Sequence, residues 1–554
     1  MACSAKDLDG DMDKSSSMEP LELPTRAVNI TDLPGVLVSA ILTWMSDPID
    51  VASAFVASRI FWSVGKTTPF RLNLRPKRTD NARNRTTWTR SAVAGIGRTM
   101  SSTRELDLSE CPVLCENIAQ LLVDLPNLER LLLDECKGKH KTTSAVDALS
   151  LSARSRLLSL ILQRCSCLGS VAIGKLFTST TAVGCRLETL LLSQVGKMDL
   201  PQDVPLSESL EAGTGKRSSE SMKLVKDVAS EVPGPRLRIL ALNNCDNLGV
   251  AELAVIGETC TYLEILMLGG SATVGSFGLL DPETCSSALL MTVKRLHRLR
   301  ILDITFFYRP VFNTVRGQIS PAVHVWDFCE KNSVMAAVKL VAQLKGCSIP
   351  FASKESDILS AEDASSLDWC IDTDHDYYKH HPWMVEIKPE FPGESCIDDT
   401  RWDLATSDML FAFKSGVNCQ DWSCRTPLHM ACAHGDADRV AKLLFIGASA
   451  GEVRDRNGGT VLMQAARKGN AQVCDLLLKA GADVLAINSR RVAWDLQSGA
   501  TPLGMVASLG HTAALEVMIA HCKEHGIDWQ NSHIYVSDMF PSSGESPFEA
   551  LNCE

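Results

Sequence analysis

LRILALNNC, from Leu237 to Cys245, decides how most of this 554-residue chain is read. The same spacing returns in LERLLLDEC (Leu128–Cys136), LLSLILQRC (Leu157–Cys165) and LETLLLSQV (Leu187–Val195). It continues in LEILMLGGS (Leu263–Ser271) and LRILDITFF (Leu299–Phe307), and a frayed first copy, RELDLSEC, ends at Cys111. Strand side chains alternate between faces, so the two leucines of each LxL point the same way. One such strand cannot bury its apolar face alone, and the copies must stack into a solenoid. The closing Cys side chain is expected to lie inside and tie the backbone of the next turn.

This pattern resembles the leucine-rich repeat family in its cysteine-type variant. The resemblance implies a solenoid of parallel strands with helices on the outer side. The step from Leu106 to Leu131 is 25 residues, whereas that from Leu190 to Leu240 is 50, so the latter holds an insertion, placed at 201–235. The residue between the two strand leucines faces the concave side. In order these are Asp107, Leu132, Ile161, Leu191, Ala241, Met267 and Asp303. Five apolar residues between two aspartates form a stripe that water disfavours, and such a stripe marks a contact surface. The expectation is that Leu132, Ile161, Leu191, Ala241 and Met267 grip a protein substrate, with Asp134, Gln163, Ser193 and Asn243 as a polar rim. The alternative is that the inserted loop or the chain's own C-terminal segment covers it.

Upstream, residues 29–66 carry two apolar helical runs separated by Asp47-Pro48. Leu33, Leu37, Ile41 and Leu42 share one helical face, and Pro34 suits a first turn. The segment resembles an F-box: an opening Leu-Pro, a helix, a DP break, then Val-x-Ser-Arg and a Trp. The family docks on the Skp-type adaptor of a cullin–RING ubiquitin ligase. Carried over by position, the docking residues are Leu33, Pro34, Leu37, Ile41, Leu42, Val51, Val56 and Trp62. Gly35 stands near a commonly acidic position, and Trp62 comes two residues late. Beyond it, Phe70–Leu74 alternates like a strand, within a basic stretch containing RPKR at Arg75–Arg78.

A second repeat type follows. RTPLHMACAHGDADRVAKLLFIGASAG begins at Arg425, GTVLMQAARKGNAQVCDLLLKAGADV at Gly459 and ATPLGMVASLGHTAALEVMIAHCKEHGIDW at Ala500. Thr426, Thr460 and Thr501 are placed to cap a first helix, and Gly435, Gly469 and Gly510 to turn into a second. These segments resemble ankyrin repeats, with His429 matching the family's hydrogen-bonding histidine. MLFAFKSGVNCQD looks like the second half of a degenerate earlier repeat. The long finger loop brings Arg490, Arg491 and Trp494, residue types enriched in binding hot spots, to a tip.

The expected architecture is therefore a multidomain repeat protein with a small α-helical F-box, an α/β leucine-rich-repeat solenoid and an all-α ankyrin solenoid. Its parts are a polar tail (1–28), F-box-like helices (29–66), leucine repeats (67–307), a linker or cap (308–403), ankyrin repeats (404–530), and a tail with a partial repeat (531–554). A helix over Val334–Leu344 is expected to close the first solenoid.

Net charge is −11, which argues against general nucleic-acid binding. No apolar run spans a bilayer and the acidic N-terminus is no secretory signal, so the cytoplasm or nucleus is the expected compartment. GSVAIGKL at Gly169–Leu176 lacks the hydroxyl of a phosphate-binding loop, and the Asp372–His381 cluster lacks calcium-loop spacing. No catalytic residue, metal or cofactor is expected, and no small-molecule substrate. The resemblances imply a non-catalytic substrate-recognition subunit of an SCF-type ligase, whose partners are the Skp-type adaptor, the cullin complex and a protein substrate. A scaffold independent of ubiquitin is the alternative.

Overall fold

The computed structural model describes residues 71–73, 100–109, 121–134, 156–164, 185–193, 196–197, 236–246, 248–271, 282–351, 405–421, 423–451, 453–488 and 501–529, with Val38 and Val64 as isolated positions. The F-box-like segment, the 201–235 insertion, Gly169–Leu176, Asp372–His381 and the finger carrying Arg490, Arg491 and Trp494 therefore lie outside the described residues, apart from those two valines.

Nine short strands form one parallel sheet in strict chain order. They are β1 (Arg71–Asn73), β2 (Glu105–Asp107), β3 (Arg130–Asp134), β4 (Ser159–Gln163) and β5 (Thr189–Ser193), then β6 (Ile239–Ala241), β7 (Ile265–Met267), β8 (Ile301–Asp303) and β9 (His324–Trp326). The register follows the leucines: Leu106 pairs with Leu131, Leu160 with Leu190, Leu240 with Leu266 and Leu302 with Val325. Stacked leucines at equal height build a continuous core behind the sheet, joined by Leu108, Leu133, Leu162, Leu192, Leu242 and Leu268 from the second leucine position. The outer layer includes α1 (Val250–Thr259), α2 (Pro282–Arg295) and α3 (Arg309–Gln318).

Turns are tied by the side chain at the closing position, but to the preceding repeat and not the next one. Cys245 Sγ donates to the Leu192 carbonyl at 2.9 Å, and Ser271 Oγ does the same to Leu242 at 2.6 Å. Cys111, Cys136 and Cys165 lie outside the described residues.

The sheet runs one strand beyond the last leucine copy. β9 has His-Val-Trp where LxL would stand, so nothing in its leucine content announces it. Behind it α4 (Lys331–Lys345) ends at Gly346 with φ 63°, and its buried Val334, Val338 and Val341 face the other half of the molecule.

That other half is helical: α5 (Thr406–Val417), then hairpins α6 (Pro427–His434) with α7 (Ala437–Ile446), α8 (Val461–Lys468) with α9 (Ala471–Lys479), and α10 (Pro502–Ser508) with α11 (Thr512–Glu524). The three threonines cap as their sequence suggested. Thr426, Thr460 and Thr501 accept from the backbone N–H of His429, Met463 and Gly504. Each repeat also reaches back to the one before it. Asn470 Nδ2 donates to the Gly435 carbonyl at 2.8 Å, and His511 Nε2 lies 3.2 Å from the Arg467 carbonyl.

Candidate protein-binding faces

The front of the sheet shows three columns of side chains. The first runs through Arg130, Ser159, Thr189, Ile239, Ile265 and Ile301. The second is the stripe from Leu132 to Met267 continued by Asp303 and Trp326, and the third holds Asp134, Gln163, Ser193, Asn243, Gly269, Thr305 and Phe328. Reading only the residue between the leucines missed the first column, whose isoleucines come from the position before the first leucine.

The stripe is not open. Leu132 is 5% exposed, Ile161 2%, and Leu191, Ala241 and Met267 are fully buried. They share one hydrophobic cluster with α4, α5 and the helical hairpins. The expectation that these five residues grip a substrate is corrected on that ground: the chain's own α5 lies on them. Its Asp408, Met409, Ala412, Phe413 and Gly416 recur at helical spacing and are all buried, so one face of the helix meets the sheet.

Polar contacts fix the direction of α5. Arg130 in β3 forms an ion pair with Asp408, which also accepts from Ser159 Oγ at 3.2 Å. One turn from the other end, Ser415 hydrogen-bonds Ser193 and accepts from Asn243 Nδ2 at 2.8 Å. Just past the helix, Asn244 Nδ2 donates to the Gln420 carbonyl at 2.6 Å and its Oδ1 accepts from Gln420 N at 2.7 Å. Ser193 and Asn243, expected as rim contacts for a partner, thus serve the chain itself. Asp134 holds Arg164 at 2.8 Å instead.

At its C-terminal end α5 approaches so closely that only glycine fits. A Cβ on Gly416 would stand 2.3 Å from Met267 Cε, 2.8 Å from Phe328 Cε2 and 2.8 Å from Asp303 Oδ2. Trp326 packs against Phe413 at 5.3 Å between ring centroids and against Phe328 at 5.8 Å. The seam continues along α4, where Lys345 Nζ donates to the Phe445 carbonyl at 3.0 Å and Phe351 meets the Phe445 ring edge-on.

Asp303, the aspartate that closes the stripe at its far end, is fully buried. Its Oδ1 accepts from Thr305 N at 3.0 Å and Thr305 Oγ1 at 2.6 Å, while its Oδ2 has no hydrogen-bond partner. Burial away from water pushes its carboxyl up to about 7, against the pull of the Thr305 donors, and Asp327 adds to the rise. Cys419 beside it is raised well above the ordinary thiol range by burial and by Asp303, Asp327 and Asp421. It is a packed thiol, not a nucleophile.

His429 is also buried. Its Nδ1 faces the Thr426 N–H at 3.2 Å and Thr426 Oγ1 at 2.9 Å, and burial lowers its pKa to about 3. A neutral imidazole closing a helix cap is a structural device.

With the stripe covered, the exposed residues described in the helical array include several at its fingers and inter-helix turns. Arg454 is exposed and its Nη1 is anchored on the Gly458 and Ile487 carbonyls at 2.9 and 2.7 Å. Ile487, just before the long finger, is 56% exposed. Arg467, Lys468 and Leu509 are exposed at the turns. Among the described residues no group of three or more His, Cys, Asp or Glu is placed to hold a metal, and no helix is long and apolar enough to cross a membrane.

These helices belong to a class built for contact with other proteins. Residues 404–488 match the family model for ankyrin repeats in three copies, a span that takes in α5 as well as α6–α9. The pair α10–α11 repeats the same design beyond the match. No curated protein matches the chain.

Proposed function

We propose that this protein is a non-catalytic adaptor that presents a protein substrate to an SCF-type cullin–RING ubiquitin ligase. Its front sheet is read as a cysteine-type leucine-rich-repeat solenoid. The ankyrin fingers and turns around Arg454, Ile487, Arg467 and Lys468, continued by Arg490, Arg491 and Trp494, would take the substrate. Leu33, Pro34, Leu37, Ile41, Leu42, Val51, Val56 and Trp62 would hold the Skp-type adaptor. The ligase half of this reading rests on the residue pattern from Leu33 to Trp62.

The observation that supports the binding half best is that the stripe from Leu132 to Met267 is covered in cis while Arg454, Ile487, Arg467 and Lys468 stand exposed. Catalysis would be borrowed: holding a substrate lysine near the conjugating enzyme raises its effective concentration. The test is a pulldown with the Skp-type adaptor, using wild type and a variant with Leu33→Ala and Pro34→Ala. Capture by wild type and loss in the variant is the expected result. Failure of wild type to bind would leave a ubiquitin-independent scaffold.

A further inference from the structure

Most buried polar atoms of a folded core are hydrogen-bonded. The seam between the sheet and α5 gathers several that are not. Asp303 Oδ2 and Asn243 Oδ1 are buried there without hydrogen-bond partners, and so is Trp326 Nε1 in the aromatic cluster that Phe413 completes. The first two face the last turn of α5, since Asn243 reaches Ser415 and the space around Asp303 Oδ2 borders Gly416. From this geometry we propose that α5 is a releasable latch on the sheet, seated while Asp303 carries a proton and loosened when it ionises.

The surroundings of Asp303 offer its negative charge little compensation. From β8 itself come the Thr305 donors, both to Oδ1. The β7 side contributes Met267 and Gly269, which carry no charge. Asp327 approaches from the β9 side with a like charge, and its Oδ1 already accepts from Cys329 N at 2.9 Å. From the turn after α5 come Cys419 and Asp421, and Arg425 is bound to Asp421 at 3.0 Å. On α5, the Lys414 side chain borders Gly447, where an added Cβ would stand 3.4 Å from its Cγ, toward the ankyrin side. An ionised Asp303 would therefore sit among carboxylates and a thiol, with one oxygen unpaired.

The direction with pH follows. A seated Asp303 titrates near 7 and a released one near the ordinary carboxylate value of 3.8, so the seated state holds one more proton between them. Seating is strongest in acid, weakens as pH rises through that window, and levels off above about 7. Release bares the stripe from Leu132 to Met267. This inference does not depend on the ligase reading.

The experiment is amide hydrogen exchange on the full chain from pH 5 to 8, corrected for intrinsic rates, comparing α5 with α8 as an internal reference. In wild type the opening constant of α5 is expected to rise about tenfold per pH unit between pH 5 and 6.5, with α8 changing far less. Asp303→Asn, which keeps the shape and removes the charge, should flatten that slope by about one proton. Should that variant not fold, Thr305→Val decides: removing the hydroxyl donor should move the window to higher pH. A pH-independent α5 in wild type, α5 and α8 opening in parallel, an unchanged slope in Asp303→Asn, or an unmoved window in Thr305→Val would each overturn the latch.

Discussion

Gly416 shows how a single residue can carry the relation between two arrays. In a solvated helix a glycine weakens the structure, and replacing it with alanine gains up to about 1 kcal/mol. Here the added methyl would meet Met267 Cε at 2.3 Å, with Phe328 and Asp303 close behind. Helix α5 would have to lift from the sheet, so Gly416→Ala is expected to cost about 1–3 kcal/mol, an overpacking penalty. Denaturant midpoints of wild type and variant check the sign. Asp303 teaches the complementary lesson about reading residues. In the sequence it is only the aspartate that bounds an apolar stripe, and nothing in the pattern says that it is buried. Two donors from Thr305, only two residues on, make its burial tolerable, and that Asp-x-Thr pairing was visible at Asp303–Thr305 all along.

At the scale of elements, the leucines and threonines made the repeating parts legible. The LxL register, the capping threonines and the turn glycines each follow from local rules, and the structure honours them. Gly469 illustrates why: its φ of 71° needs glycine, and a Cβ there would strike the His511 ring at 2.4 Å. Helix α4 also appears where the Val334–Leu344 pattern suggested. Strand β9 was not legible, because His324, Val325 and Trp326 share no leucine spacing and gain strand geometry only by pairing with β8. The covering of the stripe was not legible either. An apolar column declares that something must lie on it, but its occupant is some 140–275 positions downstream, and no periodicity links the two. Leu191→Asp tests this assignment. A charge placed at that fully buried position, under α5, is expected to destabilise the fold by more than about 4 kcal/mol. Circular dichroism melting should therefore show a large loss of stability. A stable variant that merely loses a binding partner would mean that the stripe faces solvent.

For the whole molecule, two repeat arrays of different design share a core. From Leu132 onward the leucine strands bury one face in the core behind the sheet and the other against α4 and α5, so this part of the sheet is covered on both sides, whereas Arg71 and Asn73 of β1 stay exposed. All-parallel sheets are characteristically covered in this way. The first ankyrin-matched helix is at once the start of one array and the lid of the other, which couples their orientation. The contact that tests this most directly is the ion pair between Arg130 and Asp408, whose side chains are 19% and 7% exposed and come from opposite arrays. A double-mutant cycle with Arg130→Asp, Asp408→Arg and the combined reversal isolates their coupling. Each single reversal is expected to cost about 2–4 kcal/mol by leaving like charges together in a largely buried seam, and the double reversal should recover at least about half of the summed loss. Strict additivity of the two single effects would contradict the account, because it would mean that α5 does not lie on the sheet.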